Sequence, residues 1–455
     1  MPAWFSLSPR TDASLKTALR VFAILCLLIA AGVWVATRTP SSPFDGRPAS
    51  AEISIEKGAY AARLADCVAC HTAEGGAPFA GGLAMAVPML GAIYSTNITS
   101  DKLTGVGDWT LAEFDNAVRR GVGRDGRRLY PAMPYPSYAK MDDAEVEQLY
   151  AYFTRHVDPV AAPNRPSEIP APMNTRWPLA FWNAVFSPDK PYTPDTSKSD
   201  AWNRGAYLVQ GPGHCGSCHT PRGVAMQEQS LDESSDAYLS GALLDGWYAP
   251  SLRGDPGIGL ADWSEDDIVA YLRDGRNRHG VVFGSMLEAF NNSTQFMTDA
   301  DLSAMAVYLK SLGPSSQNRR TIVTYDRADI LRPADDAGAW IYATRCATCH
   351  GADGKGRAPS IPPLAGVSSM LADSPESAIN VTLNGGGRLV KGGLPDLYRM
   401  PQMRASLTDA EIAQVLTYAR GAWGNTGGAV DPKKVRELRN TTDPASSEVI
   451  ILQMR

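Results

Sequence analysis

Hydrophobic positions in this chain fall into one unbroken block and three repeats of a mixed pattern. In the block, 21–36 (VFAILCLLIAAGVWVA), every residue is apolar or small. The repeats share an opening and an ending, and such a recurrence is the first guide to architecture. Each opens on a Gly-Ala-aromatic step: Gly58-Ala59-Tyr60, Gly205-Ala206-Tyr207 and Gly338-Ala339-Trp340. Each ends on an amphipathic helix whose apolar residues recur at helical spacing, as in Val146, Leu149, Tyr150 and Phe153. An oxygen-bearing residue with an acid three places on marks the start of each closing helix: Asp142/Glu145, Thr298/Asp301 and Thr408/Glu411. No stretch alternates with period two for long, so strands are not expected to dominate.

These patterns divide the chain into an anchor and tether (1–50), a first domain (51–157), a Pro-rich linker (158–200), a second domain (201–313), a polar linker (314–335), a third domain (336–425) and a tail without a strong period (426–455). A length of 455 residues has room for about three domains.

Two readings compete for the apolar block. A secretory signal has an apolar core of about 7–15 residues and small residues at its cleavage site. A spanning helix needs about 20 residues. Extended through Ala18 and Thr37, with Arg20 snorkelling to the surface, the block fits a span better. A cut after Ala36 would place Trp34 at the third position back, and a cut after Ala31 would place Ile29 there. An uncleaved anchor is therefore expected. Arg10, Lys16 and Arg20 before it, against Arg38 after it, favour a cytoplasmic N-terminus.

The net charge of -5 and pI near 5.8 argue against a nucleic-acid partner. Of seven cysteines, only Cys26 lies outside a pentapeptide that occurs once per repeat: Cys67-Val68-Ala69-Cys70-His71, Cys215-Gly216-Ser217-Cys218-His219 and Cys346-Ala347-Thr348-Cys349-His350. Cys-x-x-Cys-His is the attachment signature of c-type haem. Cysteines at i and i+3 share one face of a helical turn, so both sulfurs can meet the vinyl groups on one porphyrin edge. The histidine is then held under the ring as the proximal iron ligand. A dithiol or half of a zinc site also uses Cys-x-x-Cys. Zinc would want pairs close in sequence, and here most of a domain separates them. Three covalently bound haem c groups are expected, on cysteines 67, 70, 215, 218, 346 and 349, with His71, His219 and His350 as proximal ligands. Covalent haem attachment in bacteria takes place outside the cytoplasmic membrane, so the haem domains should face the periplasm.

A methionine on the open face of each iron would suit electron transfer. Met133, Met286 and Met400 each stand shortly before a closing helix and are the candidates. Their competitors are Met403, Met297 and, in the second repeat, His214 and His279; core packing is the ordinary role of methionine. The second ring nitrogen of each proximal histidine needs an acceptor. Residues 250–252, 363–364 and 94–97 stand where a loop could offer one. Arg119, Arg120, Arg124, Arg273 and Arg276 could pair with propionates or simply face solvent. Trp109 and Trp263, in matching segments of the first two repeats, could line a haem edge or fill the core. The aromatic run 177–186 in the first linker could pack over the modules or form a docking patch.

Together these residues resemble the three-haem cytochrome c subunit of bacterial membrane-bound dehydrogenases of the alcohol, gluconate, fructose and aldehyde types. The similarity covers about residues 50–425 and is most specific at 58–72, 94–99, 130–138, 211–227 and 423–425. The resemblance implies a mainly α fold of tandem class I-like cytochrome c domains, here with an N-terminal transmembrane helix. It also implies a dehydrogenase catalytic subunit carrying an organic or metal cofactor, and electron delivery to membrane ubiquinone. Many members are held to the membrane by a C-terminal segment, whereas here the tail is polar and the apolar block is N-terminal. No dinucleotide fingerprint follows a strand, so substrate oxidation is assigned to the partner. A subunit feeding a terminal oxidase and a haem peroxidase are the alternatives.

Overall fold

The computed structural model describes residues 9–38, 41–47, 53–87, 90–188, 190–244, 246–316, 318, 324–327 and 336–444. Most of the polar linker, parts of the tether and residues 445–455 of the tail lie outside the described residues.

The apolar block forms one long helix, α1 (Pro9–Thr37). Its stretch Thr17–Trp34 has a mean hydropathy of 2.1 and none of it is buried by the rest of the chain, so it is long and apolar enough to cross a membrane or to serve as a signal sequence.

The first repeat folds as α2 (Ile55–Leu64), the turn α3 (Cys67–Cys70), a hairpin of β1 (Ala84–Val87) and β2 (Gly91–Tyr94), α4 (Leu111–Arg120), α5 (Tyr135–Tyr138) and α6 (Asp143–Arg155). The aromatic run becomes α7 (Leu179–Phe186). The second repeat follows with α8 (Asp200–Gln210), α9 (Gly216–His219), a hairpin of β3 (Ala242–Leu244) and β4 (Trp247–Ala249), α10 (Glu265–Asp274), α11 (Met286–Asn292) and α12 (Asp299–Ser311). The third comprises α13 (Ala337–Arg345), α14 (Ala347–His350), α15 (Ser368–Leu371), α16 (Glu376–Asn384), a two-residue hairpin of β5 (Val390–Lys391) and β6 (Leu394–Pro395), α17 (Asp409–Gly421) and α18 (Pro432–Thr441).

The recurrent opening glycine has a steric cause. In each unit the opening helix crosses the closing helix at that residue. A Cβ on Gly58 would lie 2.3 Å from the Gln148 carbonyl oxygen, one on Gly205 2.0 Å from that of Ala304, and one on Gly338 2.3 Å from that of Gln414. Only glycine lets the backbones approach so closely. Around the crossings lie three cores. The first includes Phe44, Phe114, Met141, Leu149 and Phe153; the second Trp202, Leu208, Leu302, Met305 and Tyr308; the third Ile341, Tyr342, Leu383, Ile412 and Trp423. Leu64 of α2 is buried in the second core, so the first two units share apolar surface.

The closing helices are capped where the sequence places the caps: Asp142, Thr298 and Thr408 accept from the backbone N–H of Glu145, Asp301 and Glu411. The reciprocal half of the box forms in α17, where Glu411 bonds back to the Thr408 N–H. In α6 and α12 the acids are engaged across the interface instead. Tyr207 of the second unit donates to Glu145, and Tyr60 of the first donates to Asp301 at 2.6 Å.

Three segments depart from expectation. The Pro-rich stretch after residue 158 is strapped across the first unit: Asn97 donates to the Val160 carbonyl at 2.7 Å, and the Glu168 N–H donates to Ala92 on β2 at 2.8 Å. In the tether, Phe44 is buried in the first core and the Ser42 hydroxyl donates to Asp115 at 2.7 Å. The tail holds α18, capped by Asp431, with Val435 and Leu438 buried in the third core. Two apolar residues three apart are too few to register as a period.

Candidate haem sites

Each Cys-x-x-Cys-His folds as a single helical turn of one geometry. The N–H of His71, His219 and His350 donates to the carbonyl of Cys67, Cys215 and Cys346 respectively, at 3.0 Å in all three. The turn is entered sharply in the first two units, through Asp66 at φ +47° and His214 at φ +35°. None of the six motif cysteines is paired in a disulfide. Burial pushes the Cys67 and Cys215 thiols up to about 12 and Cys346 to about 11, so they stay neutral.

The histidine rings are fixed through Nδ1, which lies 2.6 Å from the Thr96 carbonyl oxygen in His71, 2.7 Å from that of Pro250 in His219, and 3.0 Å from that of Pro362 in His350. A carbonyl can only accept, so Nδ1 carries the proton and Nε2 keeps its lone pair. Burial lowers the pKa of all three imidazoles, against the opposing pull of the backbone bond, which keeps them neutral. Thr96 and Pro250 are within the segments expected to supply acceptors; in the third unit the acceptor is Pro362, one residue before the expected pair.

Among the described residues, no three His, Cys, Asp or Glu side chains gather where a bare ion could sit. Each motif thus presents one neutral imidazole nitrogen and two thiols on one turn. That donor set fits a covalently held haem, in which the porphyrin supplies the equatorial nitrogens.

The methionine candidates are all half-buried. Met133 sits before α5 against the first core, and its carbonyl accepts from the Tyr135 N–H at 2.8 Å. Met286 begins α11 and touches both the second core and a smaller cluster of Val282, Leu287, Phe290 and Leu389. Met400 lies on the loop after β6, its carbonyl accepting from the Gly386 N–H at 3.0 Å. The competitors pack as follows. Met297 is a buried member of the second core and Met403 packs on the third. His214 meets the Tyr138 ring edge-on, with centroids 5.6 Å apart. His279 stacks on Trp263 at 4.8 Å and lies 3.3 Å from Asp267.

Each of the five arginines pairs with a carboxylate; Arg124 and Arg273 do so while exposed to solvent. Arg119 and Arg120 are buried and both pair with Asp115. Arg124 pairs with Glu113, Arg273 with Asp274, and Arg276 with Asp396 of the third unit. Trp109 packs against the first core and Trp263 against the second.

The sites are brought together by contacts that motif reading missed. Helix α11, which begins at Met286, packs on α3, the first attachment turn. The segment with β5 and β6 docks on α11: Asn291 donates to the Arg388 carbonyl at 3.0 Å and accepts from the Val390 N–H at 2.9 Å. Between the first two units Lys140 is buried, donating to Gln210 and to the Leu231 carbonyl, each at 2.7 Å.

The cytochrome c family pattern matches residues 55–155, 203–313 and 336–423. The chain is 48% identical over 402 residues to the cytochrome c subunit of a quinone alcohol dehydrogenase of Gluconacetobacter polyoxogenes, covering 86% of each chain. It is 46% identical over 394 residues to the gluconate 2-dehydrogenase cytochrome c subunit of Pantoea cypripedii, covering 85% of this chain and 89% of that one. Over 440 residues it is 36% identical to the fructose dehydrogenase cytochrome subunit of Gluconobacter japonicus, covering 92% and 88%.

Proposed function

The chain belongs to the cytochrome c family, and from that premise we propose that it is the three-haem electron-transfer subunit of a membrane-bound dehydrogenase and passes electrons to ubiquinone. The observation that carries this is the threefold recurrence of one turn, in which two thiols and a backbone-fixed, neutral histidine present the same donors. Bound haem supplies one-electron iron chemistry. The chain's own residues decide where it sits. The cysteine pairs would hold the haem covalently, Nε2 of His71, His219 and His350 would bind its iron, and the carbonyls of Thr96, Pro250 and Pro362 keep the imidazoles from rotating. Met133, Met286 and Met400 would supply thioether sulfur as the second iron ligand of each haem, which would close the iron to small molecules and suit electron transfer. The packing of α11 on α3, and of the β5–β6 segment on α11, supports a relay in which the second site is central.

The two-electron oxidation of the substrate belongs to a catalytic subunit with an organic or metal cofactor that acts on an alcohol, aldehyde, gluconate or similar substrate; the relatives are named for alcohol, gluconate and fructose dehydrogenases. Helix α1 holds the chain in the cytoplasmic membrane with the haem units on the periplasmic side. The test is the native complex, extracted in detergent and offered alcohols, aldehydes, gluconate and fructose in turn. One substrate class should reduce the haems, and a short-chain ubiquinone should reoxidise them without an oxidase present. Haems that stay reduced until a terminal oxidase is added would assign the chain to the oxidase-feeding alternative.

A further inference from the structure

Helix α7 shows two unlike faces. The inner one is tied down: Asn183 is buried, accepts from the Tyr135 hydroxyl at 2.7 Å and donates to the Arg120 carbonyl at 3.1 Å. Trp182 lies edge-on to Tyr135 and its indole N–H donates to the Ala225 carbonyl at 2.8 Å. The outer face is apolar and open. Trp177 in the turn just before the helix, and Phe181 and Val185 one turn apart on it, are 56%, 39% and 72% exposed. The turn whose Ala225 carbonyl accepts from Trp182 carries exposed Val224 and Met226. An exposed aromatic and an exposed aliphatic side chain at i and i+4 of an otherwise anchored helix, with an exposed tryptophan at its entry, form an interfacial pattern, since exposed apolar patches mark contacts.

What covers this face is indicated by its neighbour. Helix α7 touches α1, the apolar helix. The exit of α1 is clamped to the first unit: Arg128 donates to the Arg38 carbonyl at 2.6 Å, Ser42 bonds Asp115, and Phe44 is buried. Four residues before Arg38, at the end of the apolar stretch, Trp34 carries the Arg38 guanidinium 3.5 Å over its ring. An aromatic and a basic residue together mark the level where a spanning helix leaves the lipid. The stripe on α7 therefore starts beside that level and cannot swing away from it. Arg176, just before the helix, donates to the Arg128 carbonyl at 3.0 Å and lies 3.6 Å over the Tyr130 ring, which ties the start of the stripe to the residue that holds the exit of α1.

We propose that the outer face of α7, with Val224 and Met226, lies in the headgroup–acyl boundary of the bilayer that α1 enters. It forms a second, monotopic contact that fixes which side of the first two haem units faces the membrane. The proposal rests on reading α1 as a span, and the test separates the two. The full-length holoprotein is reconstituted in vesicles of phosphatidylcholine and phosphatidylglycerol carrying a photoreactive diazirine lipid. Labelled peptides are then mapped by mass spectrometry, for the chain alone and for its dehydrogenase complex. Residues 177–186 and 222–227 should be labelled about fivefold or more above Leu394, Leu397 and Tyr398, which are exposed apolar residues of the third unit. The triple variant Trp177→Ser, Phe181→Ser, Val185→Ser should lose the label on that helix and keep it on α1. Label on α1 with none above the control on α7 overturns the proposal. So does a stripe protected only by the dehydrogenase, which would be a protein interface. Label on α7 without label on α1 upholds the membrane contact and removes the anchor.

Discussion

The Tyr60 hydroxyl donates to the Asp301 carboxylate at 2.6 Å across a separation of 241 positions. Tyr207 and Glu145 repeat the contact in the opposite direction. The aromatic of each opening step thus reaches the first-turn acid of the other unit's closing helix, so the first two units are related as a reciprocal pair. In the third unit the same position is Trp340, which is exposed, and Glu411 remains in its own cap. Replacing Tyr60 or Tyr207 by Phe should cost about 1–3 kcal/mol each, the worth of a hydrogen bond to a charged group. Thermal melting of the holoprotein with each variant checks this, and Trp340→Phe should leave the melting temperature nearly unchanged.

The same pair sets a pH dependence. Burial alone would raise the Asp301 pKa, but the bonds from Arg204 and Tyr60 outweigh it and hold the carboxyl below its ordinary value. Below an unfolded value of about 3.9, the unfolded chain binds the proton first. The contribution of Asp301 to stability is therefore complete above that pH and is lost as pH falls through the lower folded value. Melts taken down through roughly pH 4 should show a shallower acid slope for Asp301→Asn than for the parent. Equal slopes would show that the pair does not set the acid limit.

The helix crossings predict strong intolerance at the opening glycines. Gly205→Ala would drive a methyl to 2.0 Å from the Ala304 oxygen, and Gly58→Ala and Gly338→Ala to 2.3 Å from theirs. Each should cost about 1–3 kcal/mol or more, the range for overpacking. Gly421→Ala, at the end of α17 with nothing within 4 Å of the added carbon, is the control and should be neutral or slightly stabilising. Urea unfolding followed by haem absorbance measures both.

The shared turn geometry predicts one covalent haem per motif. The intact mass should exceed the polypeptide by three haem groups, and Cys215→Ala with Cys218→Ala should remove one. Two haems in fully matured parent protein would show that one motif is not a site.

Methionine ligation is tested by access to the iron. The reduced parent should bind carbon monoxide poorly, whereas Met133→Ala, Met286→Ala and Met400→Ala should each open one haem to stoichiometric binding. Met297→Leu and Met403→Leu, in the cores, should leave binding unchanged and cost less than about 1.5 kcal/mol. Carbon monoxide bound rapidly by the parent would remove a methionine and favour the peroxidase alternative.

The sequence by itself determined whatever is local. The attachment turns, the capped closing helices and the apolar helix are each written in a few adjacent residues, because a helical turn is decided by neighbours at i+3 and i+4. Even the acceptors for the proximal histidines were readable to within a residue. The tertiary structure alone decided how local pieces are used. Asp301 and Glu145 have the spacing of capping-box acids, yet a tyrosine from another unit takes them, since an exposed cap bond gives way to a buried charged one. Arg119 and Arg120 look like surface cations until Ser42, Phe44 and Asp115 enclose them. The second face of α7 and the burial of Leu64 in a neighbour's core depend on contacts between residues far apart in the chain, which no local pattern encodes.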